Sequence, residues 1–237
     1  MNLITIGDLK KGLFVDRPNR YLAEVEVDGA QVKVHVHDPG RLKELLFKGN
    51  ECLIRYAAGP KRKTEWDMIA AALDGKYVLV HSGYHRYIAE AILENYEISP
   101  FGKLTEIKPE VKFGHSRIDF KLKNDLDEVI WVEVKGCSLA EEGVAKFPDA
   151  PTVRGTKHLE SLIAIKEGGE RASVIILVLG EAEIFEPNGV TDPIFYDTFY
   201  KAMNSGVEIY PLRVELDPES GIIKFVKTLP IKERINE

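Results

Sequence analysis

Hydrophobic and polar residues alternate along the first third of the chain and then change to helical spacing. Residues 21–27 (YLAEVEV) alternate, Asp28-Gly29 supplies a tight turn, and residues 32–36 (VKVHV) alternate again, which is the pattern of a hairpin. Asp38-Pro39-Gly40 opens the stretch RLKELLF, whose pattern predicts a short helix capped by Asp38, with Pro39 at its first position and Gly49 at its end. A strand is expected at 51–57, and strands at 66–73 and 76–81 form a second hairpin about Asp74-Gly75. Five short strands and a helix predict a small β-barrel of the OB type, with the helix one place early in the strand order for that fold.

Beyond Gly83 the period lengthens. Residues 86–96 place Ile88, Ala91, Ile92 and Tyr96 on one helix face. Strands are expected at 105–113, 117–123 and 129–135, then a helix at 153–166, an apolar strand at 172–179, a helix at 192–204 and a strand at 207–214. The run 137–151 has no period and reads as a loop against the sheet. The chain is therefore expected to be a two-domain α/β (α+β) protein. Residues 1–82 form an OB-fold-like nucleic-acid-binding barrel, and residues 83–237 form a mixed sheet flanked by helices in the order α-β-β-β-α-β, then α-β.

Composition narrows the setting. A 44% hydrophobic fraction with 30% charge excludes wholesale disorder in these 237 residues. Cys52 and Cys137 are too few for a disulfide framework or a cysteine-built zinc site, which fits a reducing compartment. The start, MNLITIGDLKKGLF, lacks the apolar stretch of a signal peptide, and no run approaches the roughly 20 residues of a membrane span. A cytoplasmic protein without a membrane partner is the expectation. The net charge of -6 argues against broad coating of nucleic acid. It is unevenly spread: residues 1–82 carry 13 basic and 11 acidic residues, a net +2, whereas the remainder carries 19 and 27, a net -8.

Two of the predicted strands carry charge where apolar neighbours argue for burial. Asp119 sits between Ile118 and Phe120, and Glu133 between Val132 and Val134. Side chains alternate along a strand, so Glu133 and Lys135 project to one side, and pairing of the two strands would bring Asp119, Glu133 and Lys135 together. Two adjacent carboxylates repel, and a hard divalent cation, Mg2+ or Mn2+, relieves that repulsion through oxygen ligands, with the Val134 carbonyl a candidate third. Lys135 would then orient a water or steady the charge that builds on phosphorus. Glu-x-Lys by itself also fits an exposed polar strand face. With the element order, the constellation resembles the PD-(D/E)xK nuclease superfamily, in which a helical glutamate often completes the site. Glu90 and Glu94, four apart on one helix face, are both candidates for that acid and equally fit a solvated face.

A denser motif follows. The block KFPDAPTVRGTKHL over 146–159, together with VEVKGCSLAEEG, GHSRIDF, RPNRYLAEVEVDG and the His35…Pro39-Gly40-Arg41 run, resembles the sugar fermentation stimulation protein A (SfsA) family over nearly the whole chain. The family commonly shows Pro-Asn where this chain has His37-Asp38. The resemblance implies an OB-type domain followed by a PD-(D/E)xK-like domain, DNA binding, and a regulatory effect on sugar metabolism. It carries over Asp119, Glu133 and Lys135, with Arg117 beside them, and Thr152, Arg154, Lys157 and His158 at the head of the following helix. That block suits a phosphate, because a helix N-terminus offers N–H groups and a positive dipole end while Arg154 and Lys157 add charge. His158 would donate to a phosphate oxygen or touch the attacking water, or else pack on the sheet.

In the first domain, Lys61-Arg62-Lys63 followed by Trp66 suits strand binding by phosphate attraction and base stacking, and Arg17, Arg20 and Arg41 would extend that surface. A solvated basic loop is the plain alternative. His35-x-His37 points two imidazoles to one side of a strand, but no Cys or carboxylate partner for a zinc ion stands nearby in sequence, which favours packed histidines. The resulting expectation is a DNA-binding protein with a Mg2+-dependent phosphodiesterase site. The alternative is a non-catalytic DNA-binding regulator of sugar (maltose) metabolism with a vestigial metal site. Single- or double-stranded DNA, and a homodimer, are left open.

Overall fold

The computed structural model describes residues 1–38 and 40–234; Pro39, expected to start the first helix, lies outside them. The chain divides into two compact units, Met1–His85 with Val214–Val226, and Arg86–Arg213 with Lys227–Glu237. The stretch 214–226 thus belongs with the N-terminal part, where a single cut at residue 82 would not put it.

The first unit contains β1 (Asn2–Thr5), β2 (Lys10–Asn19), β3 (Leu22–Val27), β4 (Ala30–His35), β5 (Glu51–Tyr56), β6 (Trp66–Leu73) and β7 (Lys76–Leu79). Five of these close on themselves in the cyclic order β2-β3-β4-β6-β5, with β4 and β6 parallel and the other neighbours antiparallel. Alternation drives the closure. Ala23, Val25 and Val27 of β3 are buried, while Glu24 and Glu26 face outward. Both hairpin turns have positive φ at their Asp-Gly pairs, 53° and 78° at Asp28-Gly29 and 50° and 78° at Asp74-Gly75, the conformation that a two-residue turn needs to match strand twist.

β2 was not among the expected strands. Half of its sequence, KKGLFVDRPN, is charged or polar without alternation, and Phe14 is its one buried residue. With β2 in place, the segment after β4 falls one strand later than the pattern suggested, which removes the conflict with OB order. Gly12 lets β2 cross β3 closely, since a Cβ there would lie 2.5 Å from Val25 Cγ1 and 2.9 Å from the Glu26 carbonyl oxygen.

The expected helix at RLKELLF is a set of turns instead. Leu42 takes φ 47°, outside the right-handed helical region, and the segment sinks Leu42, Leu45 and Leu46 into the core. Asp38 Oδ1 accepts the Gly40 N–H at 2.7 Å, two residues on, closing an Asx turn in place of a helix cap.

The second unit follows α1 (His85–Glu94) with β8 (Leu104–Phe113), β9 (Ser116–Asn124), β10 (Val129–Cys137), β11 (Ala140–Glu141), β12 (Val144–Phe147), α2 (Val153–Glu167), β13 (Arg171–Val178), β14 (Ile184–Pro187), α3 (Pro193–Asn204) and β15 (Glu208–Asp217). Its mixed sheet runs β15-β13-β10-β9-β8, parallel from β15 to β10 and antiparallel beyond. The last strand, β16 (Ile222–Thr228), pairs antiparallel with β1. The run 137–151 is not simply a loop: β11 and β12 pair there, and β12 lies parallel to β14 in a small three-stranded sheet. These strands are too short to show a period, and β14 comes from far along the chain.

Both long helices are capped, and the caps are linked. Thr152 Oγ1 accepts the Gly155 N–H at 3.1 Å at the start of α2, and Asp192 Oδ1 accepts the Phe195 N–H at 3.0 Å at the start of α3. The other oxygen of Asp192 accepts the Thr152 N–H at 2.8 Å, so one buried carboxylate holds the approach to both helices. Leu159 and Leu162 of α2 share one apolar cluster with Phe195 and Phe199 of α3 and Val174 and Ile176 of β13. That cluster fixes which face of α2 meets the sheet.

Gly12→Ala should destabilise the first unit by about 1–3 kcal/mol, as overpacking does, because the added methyl meets backbone that cannot swing aside. A fall in midpoint on chemical denaturation checks this; an unchanged midpoint would show that the crossing tolerates a side chain.

Candidate functional site

Asp119 stands on β9 opposite Glu133 on β10, one step beyond the last paired residues, Phe120 and Val132. The ladder ends at that pair, and the side chain takes over: Asp119 Oδ2 accepts the Val134 N–H at 2.7 Å. Glu133 is 2% exposed. Its Oε1 accepts short hydrogen bonds from Lys135 Nζ and His158 Nδ1, while its Oε2 is buried without a hydrogen-bond partner. Lys135 Nζ and His158 Nδ1 are 3.3 Å apart. Lys135 from the same strand and His158 from a helix therefore converge on the buried Glu133 carboxylate, and Asp119 stands on the neighbouring strand. The Asp119, Glu133, Lys135 and His158 side chains expected to act together are within this one group.

The two carboxylates are driven in opposite directions. Burial raises the Asp119 pKa, and the neighbouring Glu133 charge raises it further, against the hydrogen bond from Val134. Burial also works against ionisation of Glu133, but the hydrogen bond from His158 and the Lys135 charge outweigh it and lower its pKa. Orphaned Glu133 Oε2 and a carboxyl at Asp119 that is costly to ionise are what a divalent cation would relieve, and the oxygen donors suit a hard one. The residues present fit such an ion.

Glu90 is paired with Arg86 at 3.1 Å, and Glu94 is exposed. Among the described residues, the group of three or more metal-ligating side chains gathered within 4.8 Å of one another lies elsewhere and contains neither.

Helix α2 brings the basic block to the same place. A surface groove of about 560 Å³ is lined by His115, Ser116, Arg117, Val153, Arg154, Lys157 and His158. Arg117, Arg154 and Lys157 are exposed there, with Arg117 Nε also 2.6 Å from Glu110. His158 forms both the wall of the groove and the contact to Glu133, and Arg154 Nε lies 3.4 Å from its Nε2. Thr152 serves as the helix cap. Gly155 follows because a Cβ there would meet Thr152 Cγ2 at 2.8 Å. His115 and Ser116 stand in the GHSRIDF stretch that carries part of the family resemblance, but nothing in the sequence gives either a role.

The first unit has a second groove, of about 680 Å³, lined by Lys61, Arg62, Lys63 and Thr64 together with Asn19, Tyr21, Leu22, Lys33, His35 and His37. Of the expected surface, the basic loop is present, while Trp66 packs against Tyr56 at 5.3 Å between ring centroids and is not part of the lining. Arg17 donates to the carbonyl oxygens of Arg20, Asp38, Gly40 and Arg41 at 2.7–3.0 Å, clamping the loop after β4. Arg20 and Arg41 are exposed outside the groove lining. The aromatic contribution comes from Tyr21 and His35, whose rings lie nearly parallel at 6.4 Å.

His35-x-His37 does have a carboxylate neighbour. Parallel pairing of β4 with β6 sets His35 opposite Asp67, and His37 Nε2 lies 3.0 Å from Asp67 Oδ1. Such a cross-strand neighbour, 30 residues on, leaves no local trace in the sequence. Burial opposes ionisation of Asp67, yet hydrogen bonds from His37 and Arg62 hold its carboxyl below the usual range. Burial pushes His81, stacked on His37 at 3.8 Å, down to about 3.

Comparisons with known proteins agree with this architecture. The model for the "Sugar fermentation stimulation protein RE domain" matches residues 83–220, and that for the "SfsA N-terminal OB domain" matches residues 15–80. A sugar fermentation stimulation protein homolog of Thermosipho melanesiensis is 46% identical over 217 residues, covering 92% of each chain. One from Methanococcoides burtonii is 47% identical over 205 residues, 84% of this chain and 83% of the other. The solved structure of Pyrococcus furiosus SfsA in complex with Ca2+ superposes with a TM-score of 0.89 at 27% identity, over 98% of this chain and 100% of that one. No described helix is long and apolar enough to cross a membrane.

The pKa directions predict a trade between stability and metal affinity. Glu133 contributes stability that is complete above the ordinary value near 4.5 and is lost as pH falls through its lower folded value. Asp119 does the reverse: its ionisation erodes stability as pH rises from the ordinary 3.8 through the higher folded value. Asp119→Asn keeps an acceptor for Val134 and removes the charge, so in chelator it should raise stability at neutral pH by about 1 kcal/mol. The same variant should lose the stabilisation that Mg2+, Mn2+ or Ca2+ gives the unmodified protein. Denaturant unfolding with and without metal measures both; a variant less stable in chelator would contradict the electrostatic account.

Proposed function

The chain belongs to the sugar fermentation stimulation protein family, and from that premise we propose that it binds DNA and hydrolyses phosphodiester bonds at Asp119, Glu133, Lys135 and His158 with a divalent cation. The observation that carries this reading is the buried Glu133 Oε2 without a partner, on the strand next to Asp119 and bonded through its other oxygen to the His158 that lines a basic groove. The related Pyrococcus furiosus protein was solved with Ca2+, a hard oxygen-seeking ion, which supports a cation at oxygen donors here. Asp119, Glu133 and the Val134 carbonyl would hold the ion, Mg2+ or Mn2+ in the working protein, which supplies Lewis-acid polarisation of a phosphoryl oxygen when bound.

The protein's own groups do the rest. His158 Nδ1 donates to Glu133, so Nε2 carries the lone pair that accepts from Arg154. With Arg154 turned to a phosphate, Nε2 would take a proton from the attacking water as the P–O bond breaks, and the leaving oxygen takes its proton from solvent. Lys135, 81% covered and held by Glu133, places positive charge where negative charge builds. Arg154, Lys157, Arg117 and the first turn of α2 hold the adjoining phosphate. The grip on DNA of either strand form falls to Lys61, Arg62 and Lys63 in the other unit.

A second reading, a non-catalytic DNA-binding regulator, is favoured by the close pairing of Glu133 with Lys135 and His158, which holds the carboxylate without any metal. The protein incubated with plasmid and single-stranded DNA in Mg2+ or Mn2+ should nick or degrade them. Asp119→Ala/Glu133→Ala should remove cleavage by at least about 100-fold and leave binding in place. Binding without cleavage under every metal supports the regulator and rejects the enzyme. Replacing Lys61, Arg62 and Lys63 by glutamine should lower the log-log salt slope of DNA affinity by about 2 to 3; an unchanged slope would put the DNA contact elsewhere.

A further inference from the structure

Asp67 and His81 line neither groove, and His37, which lines the first, has no part in the proposed grip on DNA. They come from three places in the first unit: the loop after β4, the start of β6 and the segment after β7. Their ligand atoms all lie within 4.8 Å of one another. Asp67 is 2% and His81 7% exposed, so the barrel fixes two of the three, while His37 is half-buried and can adjust. Ligands around a tetrahedral zinc stand about 3.3 Å apart, as bond lengths of about 2.0–2.1 Å require; rotation of His37 spans much of the difference. We propose that these three side chains form a site for a borderline divalent cation of the zinc class, on the barrel and independent of the carboxylate pair in the other unit.

Three observations carry the site. His81 Nδ1 is buried with no hydrogen-bond partner, a state that native interiors avoid unless something absent from the chain satisfies it. Gly83 keeps space beside that nitrogen, since a Cβ there would lie 3.2 Å from Nδ1 and 2.9 Å from Cε1. The donor set, two imidazole nitrogens and one carboxylate oxygen, suits zinc far better than magnesium and leaves a fourth position open. His37 lines the groove, so that open position faces Tyr21, His35 and the basic loop.

Asp67 is shared with two guanidinium groups. Arg62 holds the same oxygen as His37, and Arg55 lies 3.4 Å from the other. A cation entering here repels Arg62, and Arg62 also lines the groove. Metal binding therefore releases Arg62 from Asp67 and presents its charge to the groove. A simple ion pair would explain Arg62 and Asp67 but gives His81 nothing to bond.

The test uses the full chain carrying Asp119→Asn and Glu133→Gln, stripped with chelator, so that zinc at the second unit's carboxylates is suppressed. Titration with ZnCl2 in a calorimeter should give one ion per chain, and CoCl2 should give the visible absorption of a four-coordinate site. His81→Gln and His37→Gln should each weaken zinc at least ten-fold, and Arg62→Gln should tighten it. His37→Gln keeps the test open if the buried change unfolds the barrel, and circular dichroism reports folding of each variant. Absence of zinc binding, or zinc affinity that neither histidine variant changes, overturns the site.

Discussion

Glu133 lies 2% exposed between Val132 and Val134 on a central strand, and removing a carboxylate from water costs several kcal/mol unless partners replace the lost hydration. Much of the second unit follows from that one burial. Lys135 must sit two residues on to reach the same face, and His158 must stand on the buried stripe of α2 to reach it from above. Thr152 and Gly155 then set where α2 starts, and Asp192 fixes Thr152. Even so, one carboxylate oxygen goes unmatched. Native interiors seldom leave such an atom without a partner, and here that costs the fold stability.

The two units answer electrostatic strain with different donor chemistry. In the second, oxygens from neighbouring strands confront each other beside ammonium and imidazole groups. In the first, a chain of ring contacts, two of them stacked and the others edge-on or tilted, runs from Tyr21 through His35, His37 and His81 to Tyr84, with Asp67 and its cations along one side. Hard and borderline cations are sorted by such differences in ligand type more than by affinity as such. With residues 214–226 counted into it the first unit is neutral, 14 basic against 14 acidic residues, and the whole surplus of six acidic residues lies in the unit that holds the carboxylate site.

Periodicity located the elements that repeat a pattern long enough to detect. The Asp-Gly hairpins, the sheet of the second unit and its two long helices were legible, because alternation, helical stripes and caps are local properties. β2 escaped because a strand with a single buried side chain carries almost no alternation. The RLKELLF segment had the apolar spacing of a helix, but its leucines are drawn into the core from a turn with a left-handed residue at Leu42. The convergence of Asp119, Glu133 and Lys135 was legible because neighbouring strands connected by a short turn bring them together. The meeting of His37 with Asp67 and His81 was not, since it depends on barrel closure through β4 and β6.

The first unit is built from two separated stretches of sequence, and its edge strand β1 finds its partner only in β16. Ile6 N–H donates to the Gly221 carbonyl at 2.8 Å, and Phe225 N–H donates to the Met1 carbonyl at 2.8 Å, so the first residues are secured by nearly the last. On a ribosome the order of arrival matters. The opening strand emerges early and must wait for about 200 further residues, on the order of 10 s or more at ordinary elongation rates, before its partner leaves the exit tunnel. During that interval β1 offers an unpaired edge to any neighbouring chain. The pairing of β1 with β16 therefore cannot form until the stretch after β15 has emerged, so the first unit closes only after residues 86–213 of the second unit have been made.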